Sequence, residues 1–308
     1  LGASENIPQV SVLMSVYNGE RFLHRAVQSI LDQTFGDFEF IAMDDGSQDA
    51  SPRILDEFAA RDRRVKSIKL PHVGFCAALN AGLAVARGEL LARMDGDDES
   101  LPQRFELQVG YLRQHPDVVL VGSQVMQMDE EDDPLAPLPG LDAEHEKIDQ
   151  ALLELGWPLV HPSVMVRTET LRAVGGYAEL YPHEDHDLFL RLAEKGRLAN
   201  LPQTLLRYRR HAASTTHNPQ LHDRQIMVSA VEDACRRRGI TFKPPPKRYQ
   251  EVDQTSRSAR LQSLKNWGWA ALRAGNIATA RKYARRAALA FPGHLENWKL
   301  LACALRGH

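Results

Sequence analysis

The feature that most constrains this chain is the alternation of short apolar runs with helix-patterned segments from Val10 to about His115. Val10–Val16 reads as a buried strand, Asn18-Gly19 turns the chain, and Phe22, Leu23, Ala26, Val27, Ile30 and Leu31 then recur at helical spacing. Phe38–Met43 reads as a second strand ending in Asp44-Asp45-Gly46-Ser47, and Ser51-Pro52 opens a helix carrying Ile54, Leu55 and Phe58. Val65–Leu70 is a third strand, followed by a helix over Phe75–Arg87 that stops at Gly88, and Leu90–Met94 is a fourth. Strands alternating with helices of this length predict a largely parallel sheet covered on both faces. In such α/β folds ligands gather at the carboxyl ends of the strands.

One of those ends carries Asp95-Gly96-Asp97-Asp98, three carboxylates in four residues. Like charges this close repel unless a cation or hydrogen-bond donors compensate, so the knot predicts a bound metal and phosphate chemistry. The plainer reading is that Asp97-Asp98-Glu99-Ser100 caps a helix starting near Leu101-Pro102. Tyr17 and Asp45 fall at strand ends on the same edge of the predicted sheet. Turn aspartates with no common task have no reason to gather there, and the site reading therefore leads.

Further along, a helix is expected over Gln103–His115 and a strand over Val118–Val125, while the acidic, proline-rich stretch Asp129–Pro139 reads as an exposed loop, either a lid or a connection. His161–Val166 reads as a returning strand and Gly175-Gly176-Tyr177 as a turn. Glu184–Lys195 reads as an amphipathic helix with Leu188, Phe189 and Leu192 on its apolar side. Its two opening acids, Glu184 and Asp185, also suit the positive end of a helix dipole, so capping and catalysis both stand for them on the residues alone.

The proline run in Lys243–Lys247 reads as a stiff linker. Beyond it, Ser258–Arg306 is helical in pattern, split at Gly275-Asn276 and again at Pro292-Gly293. The spacing Leu272, Gly275, Ala280, Tyr283, Ala287, Pro292 resembles one tetratricopeptide unit. A lone repeat cannot bury both faces, so it is expected to pack on its own protein, on another copy or on a partner. Arg281, Lys282, Arg285 and Arg286 form a basic stripe, read either as a solvated face or as a contact for anionic lipid.

Composition excludes several classes. With 43% apolar and 25% charged residues the chain is neither disordered nor fibrous. It has no apolar run of the roughly 18 residues a membrane span needs, and its first residues carry neither a basic region nor an apolar signal core. A cytoplasmic location is expected, with peripheral contact at the inner membrane face as a further option. Cys76, Cys235 and Cys303 are too scattered for a disulfide framework or a zinc site and read as packing residues. The net charge of −2 hides an asymmetry of −16 up to Leu206 against +14 from Arg207 onward. An acidic half suits a cation-dependent site. A basic half suits an anionic membrane, an acidic polymer or another subunit, so a homo-oligomer is possible, and mutual attraction between the halves is the alternative. No nucleic-acid partner is expected.

Taken in order, Val12–Tyr17-Asn18, Asp44–Asp49, Ala78-Leu79-Asn80-Ala81-Gly82, Ala92–Asp98, His161-Pro162-Ser163 and Glu184–Arg191 closely resemble the family 2 glycosyltransferases, over roughly residues 8–215. That resemblance implies a GT-A fold, meaning a Rossmann-like, mainly parallel sheet covered by helices, here with a small all-α extension. It divides the chain into a catalytic domain (8–215), a helix and linker (216–255) and a helical region (256–308). It also implies a nucleotide-sugar donor, a divalent metal (Mn²⁺ or Mg²⁺) and an inverting transfer. Asp97 is then the expected direct metal ligand. Asp95 helps through water or the ribose, and Asp98 holds the loop or approaches the sugar. Tyr17 borders the base, Asp45 accepts a uracil imide N–H, and Ser15 and Glu20 help hold the nucleoside. Arg93 either neutralises a phosphate or serves as counter-ion to the acids. Asp185 is the expected general base, and Glu184 positions the acceptor or sugar. His161 contacts donor phosphates or is structural. His211 fits a late histidine that completes the metal shell, which would favour manganese, or is a plain surface residue. His72 stands where the family often has Asn.

The expected reaction is transfer from a UDP-sugar, or failing that a dTDP- or GDP-sugar, to a glycan, glycolipid or protein acceptor in cell-surface polysaccharide or glycolipid synthesis. Two other functions compete. Nucleotidyl transfer to a sugar phosphate needs a glycine-rich basic phosphate loop, and Tyr17-Asn18-Gly19-Glu20-Arg21 is a poor one. A non-catalytic nucleotide-sugar-binding scaffold would not need the acidic set at Asp95–Asp98 and Asp185.

Overall fold

The structure is a computed structural model that describes residues 7–211, 224–243 and 257–307. In chain order its elements are β1 (Val10–Val16), α1 (Glu20–Leu31), β2 (Phe38–Asp44), α2 (Ser51–Arg61), β3 (Val65–Lys69), α3 (Phe75–Val85), β4 (Leu90–Arg93), β5 (Glu99–Ser100), α4 (Arg104–Gln114), β6 (Val118–Asp129), β7 (Pro134–Pro137), α5 (His145–Leu153), β8 (Met165–Arg167), α6 (Thr168–Ala173), α7 (Glu184–Ala193), β9 (Arg197–Arg210), α8 (Arg224–Arg238), α9 (Arg257–Arg273), α10 (Ile277–Ala290) and α11 (Leu295–Arg306).

The strands form one sheet in the order β3-β2-β1-β4-β8-β6-β9-β5, with β7 paired to β6. The pairs β3·β2, β2·β1 and β1·β4 are parallel, whereas β4·β8, β8·β6, β6·β7 and β9·β5 are antiparallel. β1 lies between β2 and β4, so the chain reverses its direction of winding there. That places a crevice at the carboxyl ends of β1 and β4.

The described residues divide into two compact units, one drawn from Leu1–Val125, Gly140–Arg207 and Asp223–Pro245, the other from Met126–Pro139, Tyr208–His222 and Pro246–His308. In the first, β1 and β2 are buried along almost their whole length, as continuous apolar runs covered on both faces must be. Helix α3 packs on them through Ala78, Leu79 and Leu83, against Leu13, Ile41 and Met43. The approach is close: a Cβ added at Gly82 would sit 2.2 Å from Leu13 Cδ1. In the second unit, α9, α10 and α11 share a core of Ala271, Leu272, Ala280, Ala284, Leu300 and Ala304. Small residues let these helices pack closely.

Several expectations change. Asp129–Pro139 is not an exposed loop: β6 runs on to Asp129 and turns into β7, and Asp129 is fully buried. Its carboxylate accepts the Tyr283 hydroxyl at 2.7 Å and is ion-paired to Lys282. This hairpin is what the tetratricopeptide-like pair packs on within the second unit, which agrees with packing on its own protein. The basic stripe is likewise mostly spent inside the unit. Lys282 binds Asp129, Glu131 and Asp133, Arg286 binds Glu131, and Arg281 donates to the carbonyl oxygens of Ala304 and Leu305 at 3.0 Å.

The returning strand is shorter than expected, because His161–Ser163 forms a 3-10 turn that Pro162 favours, and only Met165–Arg167 is strand. Glu99-Ser100 pairs with β9 as β5, and the following helix begins at Arg104, so Asp97–Ser100 is not a helix cap. Helix α3 ends at Val85, and Ala86 is already extended. The proline run 244–246 lies outside the described residues.

Candidate active site

Three strand ends build the site. After β1, Asn18 takes a positive φ of 52° and is tied to the loop after β2: its N–H donates to Ser47 Oγ at 2.9 Å, and its Oδ1 accepts the Gln48 N–H at 2.8 Å. Glu20 belongs to the same clamp. Its carboxylate accepts the Ala50 N–H at 2.8 Å and its own N–H donates to Asp49. Glu20 is thus used as a brace between the two loops. Ser15, the penultimate residue of β1, is partly exposed.

Asp45, directly after β2, is buried and accepts the N–H groups of Val73 and Gly74 at 2.6 and 3.0 Å. It thereby shapes the turn that presents His72, whose φ is 53° and whose Nδ1 lies 2.9 Å from the Asp45 carbonyl oxygen. The His72 ring stacks on Tyr17 with centroids 4.3 Å apart and planes 24° from parallel. Tyr17 itself is half exposed. Sequence reasoning placed Tyr17 and Asp45 together, and they meet here through His72.

After β4, Asp95, Asp97 and Asp98 each bring a carboxylate oxygen to within 4.8 Å of the others. Asp95 and Asp97 are partly exposed and Asp98 is buried. Arg93, the last residue of β4, is fully buried and ion-paired to Asp95, which identifies it as the built-in counter-ion of the knot. Its guanidinium also lies over the Phe75 ring, 5.4 Å from the centroid. His211 follows the end of β9.

The other wall is the start of α7. Glu184 is buried with an oxygen 3.6 Å from His161 Nδ1, and His161 packs beside Tyr177 and Phe189. Burial, and then the neighbouring Asp185, push the Glu184 carboxyl up to about 8. Burial also raises Asp185, to about 6, although the His186 N–H and the Arg93 charge pull it back. Burial and the Arg93 charge hold the His161 imidazole well below its ordinary value, so it is neutral. Arg93 and Asp95 act on both α7 acids, so the knot and the helix start form one electrostatic cluster. Asp187 anchors the helix by binding Arg191, whose guanidinium donates to the carbonyls of Val174 and Gly176.

Two supports were not legible in the sequence. Arg104, fully buried on α4, donates to the carbonyls of Arg93 and Val164 at 2.8 and 3.0 Å, and Gln108, one turn later, donates to Val121 and Ser163. Together they fasten the end of β4 to the 161–164 turn. Asn80 on α3 exchanges hydrogen bonds with the backbone of Tyr177 at 2.7 and 2.9 Å, holding the turn on which His161 rests. A buried Arg looks like a surface Arg in a helical pattern, and only the carbonyls it meets reveal it.

A crevice between three parallel strand ends, walled by acids on one side and by a helix bearing two raised carboxyls on the other, belongs to the α/β sugar-transferring enzymes with a GT-A fold. Solved structures share that fold: S. aureus TarS residues 1–349 in complex with UDP-GlcNAc at a TM-score of 0.61 (15% identity, 97% of this chain and 92% of that one), and the mannosyltransferase PcManGT from Pyrobaculum calidifontis in complex with GDP-Man and Mn²⁺ at 0.55 (18% identity, 98% and 81%). The glycosyl transferase family 2 model matches residues 11–172, and the chain belongs to that family. Among its relatives, EpsE of Bacillus subtilis is 34% identical over 244 residues, covering 75% of this chain and 83% of EpsE. The O-antigen biosynthesis glycosyltransferase WbnJ of Escherichia coli is 32% identical over 213 residues, covering 68% and 82%. The protein is a glycosyltransferase.

Proposed function

We propose that this enzyme transfers a sugar from a nucleoside-diphosphate sugar, with UDP the favoured nucleotide, to a hydroxyl of a glycan or glycolipid acceptor in surface-polysaccharide assembly, with inversion at the anomeric carbon. The observation that carries this is the convergence of Asp95, Asp97 and Asp98 at the end of β4, within one charge cluster with Asp185. The O-antigen role in the name of WbnJ supports the polysaccharide setting, and the UDP-GlcNAc bound by TarS supports uridine. The catalytic domain on this reading is residues 8–215.

The residues suit a divalent cation. Hard carboxylate oxygens are grouped, two of the three acids reach solvent and leave coordination positions open, and Arg93 offsets only part of their charge. Asp97 and Asp95 would hold the ion, and when bound it would stabilise the charge that develops on the departing diphosphate. Tyr17 and His72 border the base, and Asp45, with its oxygens turned to the 73–74 backbone, keeps lone pairs to receive an imide N–H. Asp185 takes the proton of the acceptor hydroxyl as it attacks. Glu184, protonated at neutral pH, donates a hydrogen bond to acceptor or sugar.

The test is nucleotide release from a panel of UDP-, dTDP- and GDP-sugars with Mn²⁺, Mg²⁺ or a chelator. Cation-dependent UDP release is expected, with loss on chelation and on Asp97→Asn. Pyrophosphate formation from a nucleoside triphosphate and a sugar phosphate would assign nucleotidyl transfer instead, and silence with every donor would assign a scaffold.

A further inference from the structure

Helix α11 has two apolar faces, and the described residues occupy only one. Leu300 and Ala304 are buried in the α9–α11 core. On the opposite side Leu295, Trp298, Ala302 and Leu305 recur at i, i+3, i+7 and i+10, and all four are exposed, Leu295 by 85%, Trp298 by 47% and Leu305 by 52%. Leu289, six residues before Leu295 across the Phe291–His294 turn, is 81% exposed. Large apolar side chains repeated along one stripe are the signature of a contact surface, where scattered single ones are not.

The charges identify what the stripe meets. Residues 257–308 carry ten Lys and Arg against the single acid Glu296, which is ion-paired to Lys265. Lys299 and Arg306 flank the stripe on α11, and Arg285 lies one turn from Leu289 on α10. Among the described residues none of these three cations is ion-paired, unlike Lys282 and Arg286. Trp298 is fixed by a hydrogen bond from Nε1 to the Pro292 carbonyl at 2.9 Å, so its ring is held at the surface. A like copy of this strongly basic face would repel it, whereas an anionic bilayer offers both an apolar layer for the leucines and phosphates for the cations. No helix among the described residues is long and apolar enough to cross a membrane.

We propose that the outer face of α11, with the leucine pair at the α10–α11 turn, docks on the surface of an anionic lipid membrane. The inference is independent of the catalytic reading, and it would bring the enzyme to lipid-borne acceptors. It is tested by co-sedimenting the full chain with vesicles of phosphatidylcholine alone and of phosphatidylcholine mixed with phosphatidylglycerol, at low and high salt. Binding to the mixed vesicles that weakens with salt is expected. Leu295→Ser with Leu305→Ser should lower partitioning at least about 10-fold, and Arg285→Gln, Lys299→Gln and Arg306→Gln together should lower it on the order of 100-fold. Circular dichroism and donor hydrolysis should stay unchanged in these surface variants. No sedimentation with the mixed vesicles overturns the proposal, as does sedimentation that neither set of substitutions reduces. Self-association that the same substitutions dissolve, seen by sedimentation velocity without lipid, would assign the face to a second copy instead.

Discussion

Asp185 and Glu184 sit one peptide apart in one buried corner, yet they are suited to different tasks. Asp185, raised to about 6, is ionised at neutral pH and can accept a proton, whereas Glu184, raised to about 8, holds one. Asp185→Asn should keep the fold and donor binding but lower the transfer rate about 10²–10⁴-fold, measured as product formation at saturating donor. In the wild type, kcat should rise with pH through about 6 as Asp185 deprotonates. Glu184 gives the opposite signature in stability. Its folded value lies above the ordinary 4.5, so its contribution is fully present below that and is lost as pH rises through about 8. Glu184→Gln should flatten that fall, seen in denaturant unfolding at neutral and alkaline pH. Asp97 was readable as a candidate from the acidic pattern, whereas Asp185, for which capping and catalysis both stood on the residues alone, was singled out only by the family resemblance. Glu20 and Asp45 were readable as site neighbours, but the N–H groups they accept were not.

At the scale of elements, the site depends on helices lying close to strands. Gly82 lets α3 reach β1, and any Cβ there collides with Leu13 and Met43. Gly82→Ala should destabilise by about 1–3 kcal/mol, measured by urea unfolding, because the core must shift to accept one methyl group. β1 to β4 and the helices between them were legible because buried parallel strands are continuous apolar runs and amphipathic helices keep a 3.6-residue period. β5, β7 and β9 were not. β5 has two residues, β7 is built on prolines, and β9 carries Arg207, Arg209 and Arg210 through a strand whose partners come from distant parts of the chain. Local pattern says little where pairing is decided by distant partners.

For the whole molecule, the described chain is two compact units, and the second closes on Asp129. Burial raises that carboxyl, but hydrogen bonds from Lys282 and Tyr283 outweigh it and hold the group below 3.8. The stability it contributes is therefore present above 3.8 and lost as pH falls through its folded value. Asp129→Ala leaves the buried Tyr283 hydroxyl without its acceptor and removes one of the three carboxylates on Lys282, and should cost about 1–3 kcal/mol. The expected result is a lower thermal midpoint for the helical unit, followed by the fluorescence of Trp267, which lies 5.2 Å from Tyr283, while donor hydrolysis continues.

By itself the sequence determined the βα alternation, the acidic knot and the family, because these rest on local periodicity and on residue types whose spacing carries chemistry. Tertiary structure alone decided that Arg93 is the counter-ion of the knot, that Arg104 and Gln108 hold the strand end in place, and that an apparent acidic loop is the buried foot of the helical unit. Each of those depends on which carbonyl or carboxylate a long side chain reaches across a fold, and one-dimensional spacing does not encode that distance.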